Sequence, residues 1–327
     1  MSKVIITGGS GFIGTNLVEH FIKKNDVVLN LDIRTPRNSA HYKYWQEQDL
    51  LDATGLNDVI NNFSPDILFH LGSRTDLYGS SVSDYPENIL GVENLIKAVD
   101  GSTSLKRIVF SSSRLVCKIG YEPKNMTDYC PTTAYGQSKV IGENLVHKFS
   151  SVIPCPWLIV RPTSIWGPWF DIPYKTFFLT ISKGRYYHPR GKRTLKSFGF
   201  VYNTIYQLQK LIDADSSSIS GETIYLADYP AINVMEMANA IQKELGVKSI
   251  RSLDVNLLKL AAILGDLFKL LGWKNPPISS FRLDNLLTDM RYDLNLLERV
   301  SGPLPFSMVE GVKITIEWLK KEAILLE

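Results

Sequence analysis

Tyr135 and Lys139 stand four residues apart in Tyr135-Gly136-Gln137-Ser138-Lys139. That spacing sets both side chains on one face of a helix. A lysine ammonium beside a phenol favours the phenolate, lowering the tyrosine pKa from its ordinary value of about 10. The result is an acid/base able to work near neutral pH. On its own the pair also fits a solvated contact on a helix surface. Its context is more telling, because it follows by 22 residues an apolar run that ends in Ser111-Ser112-Ser113.

A second grouping lies at the start of the chain. Lys3-Val4-Ile5-Ile6-Thr7 is an apolar, β-branched run that reads as a buried strand. It enters Gly8, Gly11 and Gly14, spaced G-x-x-G-x-x-G, and then a helical pattern through Phe12, Ile13, Leu17, Val18, Phe21 and Ile22. Strand, glycine turn and helix form a seat for a dinucleotide pyrophosphate. Backbone approaches the phosphates where Cβ atoms are missing, and the helix N-terminus offers free N–H groups. Asp32 closes the next apolar run, 18 residues after Gly14. A carboxylate there accepts the adenosine ribose hydroxyls and repels a 2′-phosphate, which favours NAD. Arg34 and Arg37 keep NADP open, since either binds a 2′-phosphate if Asp32 turns away.

These residues need elements to hold them. Strand-like runs at 27–32, 65–71, 106–111 and 157–161 alternate with helical patterns near 54–62, 86–99 and 134–149. Alternation of this kind predicts an α/β fold, a Rossmann-type doubly wound parallel sheet with helices on both faces. Ligands on such sheets lie beyond the C-terminal strand ends. From about 165 the rhythm breaks: 166–200, rich in aromatics, Pro, Gly and basic residues, reads as long loops. Short strands at 222–226 and 249–253 flank a helix at 233–245, and the rest is mainly helical. The expected division is 1–165 as an NAD(P)-binding domain, with parts of 196–227 returning to it, and 166–327 as a smaller α/β substrate-binding lobe.

The composition is that of an ordinary globular chain: 327 residues, 44% hydrophobic and 21% charged, with a net charge of +3. That balance is too mild to imply nucleic acid as a partner. Cys117, Cys130 and Cys155 form no C-x-x-C pair, which favours a reducing compartment and speaks against a structural metal. The first strand begins at once, leaving no room for a signal peptide, and no apolar run of about twenty residues spans a membrane. A cytoplasmic protein is expected. The segment 255–271 is strongly apolar for a peripheral helix. It packs the small lobe or touches a membrane surface or a lipid-like substrate.

The motifs together resemble the extended short-chain dehydrogenases/reductases, the group of NAD-dependent epimerases and dehydratases that contains UDP-galactose 4-epimerase and related nucleotide-sugar enzymes. The matching pieces are TGGSGFIG at 7–14, Asp32, Asp49-Leu50, HLGS at 70–73, Asn88, FSSS at 110–113, YGQSK at 135–139 and RPTSIWGP at 161–168. KSFGFVYN at 196–203 and the segment 302–318 match more weakly. The resemblance covers nearly the whole chain.

The resemblance implies that Tyr135 transfers the proton and that Lys139 holds the nicotinamide ribose and depresses the Tyr135 pKa. Ser113, with Ser112 as its rival, would hydrogen-bond the substrate hydroxyl or carbonyl. Phe12 and Ile13 would close over the pyrophosphate and Asp49-Leu50 would flank the adenine. Leu71, Gly72, Ser73, Ser111, Pro162 and Thr163 would line the cofactor, and Asn88 would order helix packing or a water near Lys139. A hydride carrier, a phenol and a hydroxyl converging on one carbon oxidise an alcohol or reduce a ketone. A homodimer built on the helices near 86–100 and 135–150 is also implied, with Ile89, Leu90, Leu95, Ile96, Val140, Ile141 and Leu145 as its apolar face.

Several positions depart from the family pattern. Ser164 replaces a substrate-contacting Asn, Lys196 an Arg that clasps the nucleotide diphosphate, Asn203 an Asp, and Cys117 a Tyr. Arg114-Leu115 stand where sugar 4,6-dehydratases carry Asp-Glu. Eliminating water needs a second acid/base, so dehydration is not expected. The basic stretch Lys183, Arg185, His188, Arg190, Lys192, Arg193 and Lys196, with Tyr186 and Tyr187, suits a diphosphate and a stacked base, or is a solvated loop. Candidate substrate contacts are therefore Arg74, Ser164, Lys196, Arg190 and Arg193. Three functions stay open: a nucleotide-sugar epimerase or 4-ketoreductase, a dehydrogenase of a hydroxysteroid, flavonoid-like or other small alcohol, and a nucleotide-sensing protein without catalysis.

Overall fold

The computed structural model describes residues 1–171, 174–270 and 278–325. The first half runs β1 (Lys3–Thr7), α1 (Phe12–Lys23), β2 (Val27–Leu31), β3 (Trp45–Gln46), α2 (Ala53–Phe63), β4 (Ile67–His70), α3 (Leu90–Val99), β5 (Arg107–Ser111), α4 (Ala134–Lys148) and β6 (Trp157–Pro162). Val4 to Thr7 are buried without interruption, as expected of a strand covered on both faces. Alternate residues feed two separate cores. Val4 and Ile6 pack with Leu17, Val18 and Phe21 of α1, whereas Ile5 packs with Leu56 and Ile60 of α2 and Leu95 of α3.

The second half continues with β7 (Ser164–Trp166), α5 (Tyr174–Ser182), β8 (His188–Pro189), β9 (Leu195–Lys196), β10 (Phe198–Phe200), α6 (Val201–Asp213), α7 (Ser216–Ile219), β11 (Thr223–Leu226), β12 (Ile232–Asn233), α8 (Val234–Leu245), β13 (Ser252–Leu253), α9 (Val255–Leu270), α10 (Ser280–Leu287), α11 (Asn295–Ser301) and α12 (Met308–Lys321). β11 returns to the main sheet, pairing parallel to β6. The sheet order is β11-β6-β5-β4-β1-β2-β3, and all its pairings are parallel. The order reverses between β1 and β4, and the crevice outside those strand ends is where such sheets take ligands. Three two-stranded pairings, β7–β10, β9–β12 and β8–β13, build the smaller lobe.

Two expectations are corrected. The stretch 166–200 is not all loop, because it holds α5 and three short strands. Five of its aromatics are core residues: Trp166, Phe170, Phe178, Phe198 and Phe200 are buried together with Val234, Met237 and Ile316. Phe178 and Ile181, three apart, are the inward positions of α5, and burying them outweighs the local turn signals. The helix expected over 86–99 is a 3-10 turn at Pro86–Asn88 followed by α3. Proline at the first helical position starts the turn, which does not continue smoothly into α3. Residues 172–173 and Leu271, on which these readings partly fall, lie outside the described residues.

Candidate active site

Gly8 ends β1 at φ +70°, a conformation side chains avoid, and a Cβ there would lie 2.6 Å from the Gly72 amide nitrogen. A Cβ on Gly14 would strike the Gly8 carbonyl oxygen. These two positions let β1, β4 and α1 close to a narrow seam, and Gly11 serves as N-cap of α1 without a side chain. The first N–H groups of that helix carry a partial positive charge, which suits a pyrophosphate.

Asp32 stands at the other side of this turn. Its Oδ2 accepts the Ser10 N–H at 3.1 Å and its Oδ1 the Arg34 N–H at 3.0 Å. The Arg34 guanidinium lies 3.6 Å from Oδ1 and is largely exposed. Arg37 is turned elsewhere, donating to Ser10 O at 3.2 Å and Trp169 O at 2.8 Å and pairing with Asp171 at 3.5 Å.

A cleft of about 660 Å³ runs from Asp32 to Tyr135. Gly8, Gly11, Phe12, Ile13, Gly14, Asp32, Asp49, Leu50, Leu71, Gly72, Ser73, Ser111, Ser112, Ser113, Tyr135, Pro162 and Thr163 all line it. The residues that sequence reasoning missed here include Gln48, Thr75, Asp76, Glu87, Asp171 and Tyr174. Asp76 and Glu87 follow strand ends already singled out and were legible by proximity. Asp171 and Tyr174 arrive from the segment expected to be loop, and no local signal marks them.

Thr133 caps α4, its Oγ1 accepting the Gly136 N–H at 3.0 Å, so Tyr135 lies in the first turn. Its side chain is buried beside Tyr85, with ring centroids 5.9 Å apart. Burial pushes the phenol up to about 12, against the nearby Ser113 hydroxyl and the Arg114 charge, while Tyr85 adds to the rise. The expected lowering of this pKa by Lys139 does not occur here. The Lys139 ammonium is instead bound to Ser111 O at 3.1 Å. Burial pulls it down to about 8, with the Glu143 carboxylate opposing. The cation that acts on Tyr135 is Arg114, whose charge also lowers the Tyr292 phenol against its burial.

Lys139 and Asn88 stand behind the cleft wall, around a cavity of about 20 Å³ shared with His70 and Ser112. That is room for about one water. Asn88 donates to Arg74 O at 3.0 Å and Ser138 Oγ at 2.9 Å and accepts the Arg74 N–H at 2.9 Å. It therefore ties the chain after β4 to α4. His70 Nδ1 meets Thr7 Oγ1 at 2.9 Å. Burial pulls this ring down to about 3, with the Lys139 charge adding to the fall, so it is neutral.

Of the candidate substrate contacts, Arg74 lines the cleft, with its guanidinium 2.7 Å from Asp76. Ser164 is buried in β7 and Arg190 and Arg193 are exposed; none of these three lines the cleft. Lys196 is committed elsewhere, donating to Asn285 O and Thr288 O at 2.5 and 2.6 Å. His188 is buried, with Nε2 2.9 Å from Asn239 Oδ1, which gives it a structural place. Asn203 bonds Asp228 and the backbone of Phe306.

Known proteins are similar to this chain in sequence and fold. The family model described as the NAD dependent epimerase/dehydratase family matches residues 4–183. An Escherichia coli O157:H7 protein, N-acetyl-alpha-D-glucosaminyl-diphospho-ditrans,octacis-undecaprenol 4-epimerase, is 23% identical over 97% of this chain and 95% of its own length. A 3 beta-hydroxysteroid dehydrogenase/Delta 5-->4-isomerase of Mycobacterium tuberculosis is 25% identical over 75% of this chain and 70% of its own. The crystal structure of a UDP-glucose 4-epimerase from Thermotoga maritima shares the fold, with TM-score 0.75, 17% identity and coverage of 98% and 99% of the two chains. With the glycine turn, the Asp32 carboxylate and the Tyr135–Lys139 helix converging on one cleft, and the family model matching more than half of its length, this chain belongs to the NAD-dependent epimerase/dehydratase family of extended short-chain dehydrogenases/reductases.

Proposed function

We propose that the chain is an NAD-dependent epimerase or 4-ketoreductase of a diphosphate-linked sugar, working at a sugar carbinol with Tyr135 as acid/base. The observation that carries this reading is the meeting of Tyr135 and Ser113 with the Gly8–Gly14 turn in one cleft. The residues fit NAD: the close backbone packing of Gly8, Gly14 and Gly72 shapes the turn on which the pyrophosphate would lie, and Asp32 would take the adenosine ribose. NAD, when bound, supplies redox chemistry at the carbinol carbon. The protein supplies the proton and the orientation.

With its pKa near 12, Tyr135 rests as the neutral phenol. In that form it donates a proton to a carbonyl oxygen, and as the phenolate it removes one from a hydroxyl. Ser113, which lines the same cleft, would orient the same substrate oxygen. Lys139 lies one turn further along α4, behind the cleft wall, and would hold the cofactor ribose only on turning its ammonium from Ser111 O toward the cleft. The position of Asp-Glu in dehydratases is occupied by Arg114 and Leu115, and neither supplies the second acid that loss of water requires.

A diphosphate-linked sugar draws on the 4-epimerase relative, 23% identical along 95% of its own length; a Candida albicans sterol-4-alpha-carboxylate 3-dehydrogenase, 23% identical along 99% of its own, draws toward a sterol. A second reading, a dehydrogenase of an uncharged alcohol such as a sterol, draws on two observations: Lys196 is spent on backbone carbonyls, and the Arg74 guanidinium is already paired. We further propose a homodimer through α3 and α4. Leu90 is exposed, and Ile89, Val140, Ile141 and Leu145 are half-buried, whereas Leu95 and Ile96 are spent in the core on the sheet.

Denaturing freshly purified protein and weighing the released small molecules tests the substrate class. Retained NAD together with a sugar diphosphate supports the epimerase. Protein that emerges empty and binds NADH or NADPH reversibly moves the assignment to a dehydrogenase. Light scattering at several concentrations tests the dimer, which a concentration-independent monomer would exclude.

A further inference from the structure

The helix α9 turns its apolar side outward. Leu258, Ala262 and Gly265 face the lobe, where the first two pack with Leu283. Leu257, Leu260, Ile263, Leu264 and Leu267 are 46 to 60% exposed. Their spacing of three and four places them on one face about a third of the helix wide. Isolated exposed leucines need no explanation, but a continuous apolar face does.

The surroundings of this face are cationic. β13 leads directly into α9 and pairs with β8, with Ser252 opposite His188 and the Arg190 N–H donating to Leu253 O at 2.8 Å. This pairing fixes the basic stretch beside the start of the helix. Residues 183–195 carry Lys183, Arg185, Arg190, Lys192 and Arg193, all exposed, and no acid. Residues 247–266 add exposed Lys248, Arg251 and Lys259 against two carboxylates, exposed Asp254 and half-buried Asp266, the second of which accepts the Ser280 N–H.

From this juxtaposition we infer that α9 is a peripheral docking element for an anionic lipid bilayer: its exposed leucines enter the headgroup boundary while the neighbouring cations meet lipid phosphates. An apolar helix face bounded by basic residues is the pattern that lies in a membrane surface plane. A second copy of this chain fits less well, because a twofold contact through the same patch brings basic rim against basic rim. No helix among the described residues is long and apolar enough to cross a membrane. The inference concerns a surface outside the cleft and stands independently of the substrate proposed for it.

The full chain, sedimented with vesicles of mixed phosphatidylglycerol and phosphatidylcholine, is expected to bind, and to bind at least tenfold less to phosphatidylcholine alone or at high salt. The variant Leu260→Gln/Ile263→Gln/Leu267→Gln is expected to lose at least tenfold in vesicle binding while NAD binding stays unchanged. The separate variant Lys192→Glu/Lys248→Glu is expected to lose binding to the anionic vesicles while keeping the leucine face intact. Failure of the wild-type chain to bind anionic vesicles overturns the inference. So does equal binding by the leucine variant, or a wild-type oligomer that the leucine variant dissociates, which would give this face to a second copy.

Discussion

Arg161 and Glu143 form a two-pronged ion pair in the interior, Nε to Oε1 at 2.8 Å and Nη2 to Oε2 at 2.6 Å, with almost no side-chain surface left exposed. The Tyr129 hydroxyl donates to the same carboxylate at 2.9 Å, and Arg161 also reaches Met126 O and the Tyr225 hydroxyl. The pair joins β6 to α4 one turn beyond Lys139. It thereby fixes the rotation of the helix that presents Tyr135.

Breaking this pair from one side leaves a buried charge without a partner. Arg161→Met is expected to destabilise the fold by about 3–5 kcal/mol, and Arg161→Met/Glu143→Met by clearly less. Urea denaturation of the two variants measures this. Equal losses would mean that the pair's desolvation is not the controlling cost.

Tyr135→Phe is expected to lower kcat by roughly 10²- to 10⁴-fold, the usual scale for a positioned acid/base. NAD binding should stay nearly intact, because the phenol oxygen is not needed for the pyrophosphate seat. Steady-state turnover and a cofactor titration check the two halves separately. Persistent turnover would remove Tyr135 from the chemistry.

Asp32→Ala removes the carboxylate proposed to accept the ribose hydroxyls. Charge-assisted hydrogen bonds of this kind are worth about 1.5–3 kcal/mol, so NAD affinity is expected to fall roughly 10- to 100-fold. NADP affinity should fall less, since the repulsion of a 2′-phosphate is relieved at the same time. Calorimetric titration with both cofactors decides the point, and equal losses would contradict the assignment.

Asp228 is buried where its carboxylate accepts the Phe200 N–H at 3.0 Å and the Asn203 amide at 3.1 Å. Burial nonetheless pushes it up to about 7 from 3.8. The folded chain therefore holds a proton that the unfolded chain releases, and this stability, complete below pH 3.8, is lost as the pH rises through about 7. Asp228→Asn keeps the shape without the titration. Its stability relative to the wild type is expected to rise across that window, and thermal melts at a series of pH values would show parallel curves if Asp228 did not titrate there.

The central sheet was legible because each strand is a short apolar run whose alternate residues supply opposite cores, as Ile5 does between Val4 and Ile6. The glycine turn was legible because few residue types tolerate the backbone that Gly8 adopts. Local readings failed where a core is assembled from distant pieces. Aromatics between 166 and 200 read as loop, yet Phe178 and Phe200 find partners in α8 and α12. Lys196 resembled a diphosphate ligand, and its ammonium is held by carbonyls 89 and 92 residues away.

The sequence by itself determined the order of elements, the cofactor turn and the Tyr135–Lys139 spacing, since these rest on periodicity, φ preference and separation along one helix. Tertiary structure decided the charges around them. Lys139 is turned to Ser111 O, Arg114 is the cation acting on Tyr135, and burial holds the phenol near 12. Electrostatics depends on distance and burial in space, and neither is written in the spacing of residues along a chain.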